Sequence, residues 1–104
     1  MDKKTAINTE EAYLSLVRKK FPYKNALLFG SYAKGTNQAD SDIDLAIIFE
    51  AVEDMIERQA DLLKLRNNNE LDIEPHPFRM SDFNVSNPVA SEILKTGIKI
   101  VERH

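Results

Sequence analysis

The sequence predicts a small α/β (α+β) domain, three to four short strands with flanking helices, and three observations predict it. Apolar runs of strand length, "NALLF" and "IDLAIIF", alternate with longer stretches whose apolar residues recur at helical spacing. Glycines, asparagines and prolines stand at the joints between them. At 104 residues the chain has room for one such domain, over residues 1–104, and none for a second lobe.

Each element has its own signal. "NTEEAYLSLVRKKF" places Tyr13, Leu16, Val17 and Phe21 on one helical side, with Asn8 and Glu11 spaced as a capping box. After Pro22, "NALLFG" is too short for a helix and reads as a buried strand ending at Gly30. "IDLAIIF", from Ile43 to Phe49, is a second strand. "VEDMIERQADLLKL" carries Val52, Met55, Ile56, Leu62 and Leu63 on one face and charges on the other, as a helix lying over the sheet. "NNN" at 67–69 signals a turn. "ELDIEPHPF" then alternates Leu71 and Ile73 against Asp72 and Glu74, a half-buried strand that Pro75 and Pro77 either stop or hold at an edge. Asn87 and Pro88 suit the N-cap and first position of a last helix, with Val89, Ile93 and Leu94 as its apolar side and Gly97 as its C-cap. "IKIV" offers a final short strand.

Composition narrows the function. A formal net charge of -3 leaves no general basic field for a nucleic-acid backbone, which argues against polynucleotide substrates. There is no cysteine, hence no disulfide framework and no Cys-based zinc site, which fits a reducing cytoplasm. No apolar run approaches the ~20 residues of a membrane span, and "MDKKTAINTEE" lacks the apolar core of a signal peptide. The expectation is a cytoplasmic protein without a membrane partner.

The chemistry concentrates in "FGSYAKGTNQADSDIDLAII". Gly30 sits where a strand gives way to "SYAKG". A residue without a Cβ lets a phosphate approach the backbone while the following N–H groups and the Ser31 hydroxyl point at it. Asp42 and Asp44 are two apart at a strand start, so both leave the same face, about 7 Å apart along the backbone, while Ile43 points into the core. Two like charges on one face cost stability unless a cation offsets them. Magnesium commonly takes one or two carboxylates plus substrate phosphate oxygens, so a cradle beside a carboxylate pair predicts a nucleoside triphosphate ligand.

Gly30, Ser31, Gly35, Ser41, Asp42, Asp44 and Leu45 together resemble the signature of the DNA polymerase β-like nucleotidyltransferases, and the short chain is similar to the minimal members of that superfamily (MNT). The resemblance implies a mixed sheet of the polymerase β palm type. It also implies transfer of a nucleotidyl group, most often AMP from ATP, onto a hydroxyl with pyrophosphate leaving. The family's third carboxylate lies on a later strand in an apolar-Asp-apolar setting, which Leu71-Asp72-Ile73 supplies. By resemblance, Asp42, Asp44 and Asp72 are the catalytic carboxylates and hold two Mg2+ ions, and Gly30 and Ser31 bind the nucleotide. Minimal members are commonly encoded beside a small helical HEPN protein. The resemblance therefore implies an antitoxin that adds AMP to a tyrosine of a HEPN toxin. A small-molecule acceptor held by a separate helical subunit, and a noncatalytic module that binds nucleotide or masks its partner, are the alternatives; a homo-oligomer stays open.

Other polar residues are read more plainly. Lys34 is placed to touch a phosphate or to lie in solvent with equal weight. Glu74 and His76 share the Asp72 face if the strand runs on, near metal or acceptor. Asp40 is assigned to a turn. Arg79 and "RKK" at 18–20 read as solvated, and His104 as a free end. Tyr13, Phe21, Phe29, Phe49, Phe78 and Phe83 are assigned to the core. Only three residues follow Val101, so the acceptor is expected to arrive on another molecule.

Overall fold

Helix α1 (Lys3–Lys20) begins where the Asp2 carboxylate accepts the Thr5 N–H at 2.8 Å, and everything after it is arranged around one mixed sheet. The structure is a computed structural model that describes residues 2–101. The further elements are β1 (Asn25–Phe29), α2 (Ser31–Lys34), β2 (Ile43–Phe49), α3 (Met55–Lys64), β3 (Ile73–Arg79), α4 (Pro88–Thr96) and β4 (Ile98–Lys99), with single 3-10 turns at Asn68–Glu70 and Met80–Asp82. The strand order is β3-β2-β1-β4. β1 runs antiparallel to β2 and to β4, and β2 and β3 are parallel, joined by the α3 crossover. The expected mixed sheet of three to four strands, flanked by helices, forms with four.

Alternation along the strands divides the sheet into two faces. Ala26, Leu28, Ile43, Leu45, Ile47, Phe49 and Ile73 are buried in one cluster with Ala6, Tyr13, Leu14 and Val17 of α1 and Leu62 of α3. Each fully buried Leu, Ile or Phe stabilises the fold by ~1.5–3 kcal/mol, so this face holds the domain together. The Tyr13 hydroxyl donates to the Leu62 carbonyl at 2.6 Å and ties α1 to α3. Burial raises the Tyr13 pKa above its ordinary value, as suits a phenol that keeps its proton.

The edge strand β3 explains its two prolines. Ile43 donates its N–H to the Asp72 carbonyl at 2.7 Å, and the register pairs Ile43 with Ile73. By that alternation residues 72, 74, 76 and 78 turn their backbone groups to β2, and 73, 75 and 77 turn theirs outward. Pro75 and Pro77 stand at outward positions, where a missing N–H costs the ladder nothing and removes a donor from the edge. The outward carbonyls are taken up from α3 and its end: Gln59 donates to the Pro75 carbonyl at 2.6 Å, and Arg66 to those of Leu71 and Ile73 at 2.9 and 3.1 Å. The prolines hold the strand at the edge and do not stop it.

Several boundaries differ from the sequence expectation. α1 starts at Lys3 and not at Asn8, because Asp2 supplies the cap; its buried stripe is Ala6, Glu10, Tyr13, Leu14 and Val17. Val52 precedes α3, whose cap is Asp54 accepting the Glu57 N–H at 3.0 Å, and Ile56 faces solvent. Leu71 is exposed in the turn before β3. In α4, Asn87 caps and Pro88 leads as expected, but Ala90 and Ile93 form the buried side while Val89 and Leu94 are exposed. The expected free end at His104 lies outside the described residues.

Candidate functional site

The second face of the sheet carries Asn25, Leu27 and Phe29 from β1, Asp44, Ala46 and Ile48 from β2, and Glu74, His76 and Phe78 from β3. At its Ile48 end this face is covered: Ile48 and Asn25 line a cavity of about 220 Å³ with Met80, Phe83 and Leu94 of α4. At its Asp44 end the side chains are half-exposed. The larger cavities, of about 460 and 440 Å³ beside Phe21, Ala51 and Arg58, lie past the opposite end of β2 and hold none of the expected site residues.

Two of the expected residues are brought into contact. Phe29 and Asp44 are register partners, so the Asp44 side chain meets the chain just as β1 ends at Gly30. Gly30 has φ 74 and ψ -151, a region only glycine enters readily. A Cβ there would collide with Asp44 Oδ2 and stand 3.1 Å from Cγ. The glycine thus both makes the turn and lets a carboxylate lie against the backbone. Ser31 follows as the first residue of α2, with its carbonyl accepting the Thr36 N–H at 2.9 Å. Gly35 closes the turn at φ 76 with open space where a Cβ would stand.

Asp42 and Asp72 stand one residue before β2 and β3, both exposed. Since Ile43 pairs with Ile73, the two aspartates flank the mouth of the same strand pair. The Asp72 backbone is held by its bond to Ile43 N–H and by Arg66 on the carbonyls to either side. Ser41 is structural: its hydroxyl accepts the Gln38 N–H at 2.7 Å and closes the turn that delivers Asp42. Asp40 lies in that same turn, as expected. Glu74 is the direct register neighbour of Asp44. Among the described residues, no three His, Cys, Asp or Glu side chains are gathered closely enough to hold an ion by themselves. A hard divalent cation would need carboxylates such as Asp42, at the mouth of β2, and Asp44, against Gly30, and oxygens of a phosphate ligand would complete such a set.

Among the neighbours of the site, sequence reading places His76 and Lys34 near it and misses Glu10. His76 places Nε2 3.3 Å from Asp44 Oδ1 and packs against the Phe29 ring, centroids 5.1 Å apart, so Phe29 belongs to the site's wall and not to the core. Glu10 is fully buried with neither carboxylate oxygen hydrogen-bonded. Burial, and after it the charge of Asp44, push its pKa well above the usual carboxylate range. The available signal was a carboxylate at a position of the α1 buried stripe, four residues after Ala6 and three before Tyr13. Lys34 pairs with Glu92 of α4 at 2.9 Å and holds the Glu92 carboxyl below its usual range, so it ties α2 to α4 at the rim. Arg79 donates to the Val52 carbonyl at 2.9 Å and is structural.

The family model described as polymerase beta, nucleotidyltransferase matches residues 12–104. The chain belongs to that nucleotidyltransferase family. Solved structures place this nucleotidyltransferase among similar folds. One, from Sulfolobus solfataricus and itself assigned to the nucleotidyltransferases, is 15% identical with a TM-score of 0.72, covering 97% of this chain and 84% of that chain. A chain of a toxin-antitoxin complex with AMP-PNP is 22% identical, TM-score 0.61, covering 93% and 75%. A chain of the tri-AMPylated HEPN toxin of Shewanella oneidensis in complex with its MNT antitoxin is 18% identical, TM-score 0.56, covering 97% and 73%. Among curated proteins, no sequence matches significantly. No helix among the described residues is long and apolar enough to cross a membrane.

Proposed function

We propose that this nucleotidyltransferase moves AMP from ATP onto a hydroxyl, the acceptor being a tyrosine of a helical HEPN-type partner whose toxicity the transfer ends. The observation that carries the reading is the contact of Asp44 with a side-chain-free Gly30 at the end of β1. It sets a carboxylate against the backbone turn, where the reading needs metal and triphosphate to meet. The family membership and the AMPylated HEPN complex among the similar folds support the acceptor class; the AMP-PNP complex supports the donor. The reading places the protein in the cytoplasm, where ATP and such a partner would meet it.

Asp42 and Asp44 would hold Mg2+ together with the triphosphate, and Asp72 would share a second ion; when bound, such ions supply charge stabilisation for the attacking and leaving oxygens. The chain's own part is positioning. Gly30 and Ser31 orient the terminal phosphates, and Asp72, fixed by Ile43 and Arg66, aligns the acceptor hydroxyl and receives its proton. The bond formed joins the acceptor oxygen to the α-phosphorus. The bond broken is that to the β-phosphate oxygen, which leaves with the electron pair as pyrophosphate.

Intact-mass spectrometry of the protein mixed with ATP, Mg2+ and a HEPN partner tests this. The partner should gain one or more AMP units, and Asp72→Asn should slow the gain by orders of magnitude while keeping most nucleotide binding, because an aligning group acts mainly in the transition state. Glu74→Gln should be milder; the reverse order would move the third carboxylate to Glu74, the register neighbour of Asp44. An unmodified partner that is inhibited in a tight complex would replace transfer with masking.

A further inference from the structure

We infer that His76 is a positioning residue for Asp44, fixing the carboxylate so that it meets the metal–nucleotide in one orientation; this rests on the reading of Asp44 as a metal ligand. The two Asp44 oxygens have different surroundings. Oδ2 lies against Gly30, where no Cβ intervenes, and Oδ1 lies 3.3 Å from His76 Nε2. An ionised carboxylate only accepts, so the imidazole must donate, and the neutral ring with its proton on Nε2 suffices. The contact sits at the long end of hydrogen-bonding distance.

The fold supplies the reach. Asp44 is opposite Glu74 in the parallel register, and His76 is opposite Ala46, two residues further on. Ala46 leaves room beside it, and its methyl is fully buried, so the imidazole can lean back along the face toward Asp44. The Phe29 ring then backs the imidazole edge-on, at an interplanar angle of 64°, and Phe29 is itself the register partner of Asp44. Gly30 thus meets one oxygen of the carboxylate and His76 the other, with the Phe29 ring behind the imidazole. Held by a donor and by shape, Asp44 does not have to be ordered when the cation arrives. Outer partners of metal-ligating groups are typically worth 10–100-fold in metal affinity.

The test is calorimetric titration of ATP into the full chain over a series of Mg2+ concentrations, with thermal melts of every variant as the folding control. His76→Phe keeps a ring against Phe29 and removes the donor; His76→Gln restores a donor in the place of Nε2. We expect His76→Phe to raise the half-saturating Mg2+ by about tenfold or more, His76→Gln to stay within about threefold of the parent, and Asp44→Asn to lose the Mg2+-dependent part of binding altogether. Parent-like Mg2+ dependence in a folded His76→Phe overturns the inference while leaving Asp44 in place, and so does a His76→Gln as weak as His76→Phe, which would show that a donor at this position does not restore the effect. Mg2+-dependent binding that survives Asp44→Asn removes the underlying reading and the inference with it.

Discussion

The two faces of this sheet are built from the same three strands and alternate residues, yet one is sealed and the other keeps its Asp44 end open. Ile43, Leu45, Ile47 and Ile73 are buried under α1 and α3, whereas Asp44, Glu74 and His76, one residue out of phase, remain half-exposed and polar. A domain of this size has little burial to spare. Leaving one end of a face uncovered and lined with carboxylates is therefore informative: the sealed face supplies the stability, and the open end is where the proposed chemistry would take place. The same contrast recurs between the two buried carboxylates. Glu70 accepts the Asn67 N–H at 2.8 Å and caps a turn; Glu10, in the α1 stripe, has no partner for either oxygen.

The sharpest break between the faces should come from truncating the sealed one. Leu45→Ala should cost ~2–5 kcal/mol by removing a fully buried side chain, read as a lowered urea midpoint. A loss under 1 kcal/mol would mean that the core face carries less of the fold than its burial indicates.

Next come the two glycines of the α2 turn, which separate backbone strain from contact with the site. Gly30→Ala should lose ~1–3 kcal/mol and also the Mg2+-dependent binding of ATP, because its Cβ meets Asp44. Gly35→Ala has positive φ but nothing nearby, so it should lose ~1–2 kcal/mol and keep nucleotide binding. Equal effects on binding would show that the Gly30–Asp44 contact is incidental.

Glu10 sharpens the comparison from within the core. Its pKa is raised in the folded protein, so its contribution is fully present below the ordinary carboxylate value of 4.5 and is lost as pH rises through the folded value. Glu10→Met, similar in volume and free of polar atoms, should stabilise the protein by ~1–3 kcal/mol at pH 8. The gain should shrink toward pH 4. A pH-independent difference would remove the buried charge as its cause. The smallest effect belongs to the rim: Lys34→Ala should change stability by less than ~0.5 kcal/mol, since both partners of its pair with Glu92 are about half-exposed.

Much of this division was legible in the sequence. The Gly-Ser turn, the Asp-x-Asp strand mouth and the alternation of "IDLAIIF" give the strand pair and its two faces. The α4 cap and the final strand were equally plain, because Asn-Pro and a short apolar run act locally. What was hidden depends on distant partners. Asp2 caps α1 ahead of the expected Asn8 start, and a single aspartate before two lysines carries no periodic signal. Ile56 and Leu71 look like core residues until the packing of α3 and the turn before β3 turns them outward. His76 and Asp44 are 32 residues apart, and only the parallel register of β2 and β3 brings them within reach.

Thermal melts of the parent and Asp44→Asn, each in EDTA and in saturating MgATP, test the division most directly. A carboxylate kept for a ligand and not for the fold should leave the melting temperature in EDTA unchanged, or raise it by about 4–8 °C if its loss is worth ~1 kcal/mol. The same substitution should abolish the rise that MgATP gives the parent. An Asp44→Asn protein that melts well below the parent in EDTA, yet gains as much from MgATP, would place Asp44 among the structural residues and contradict the account.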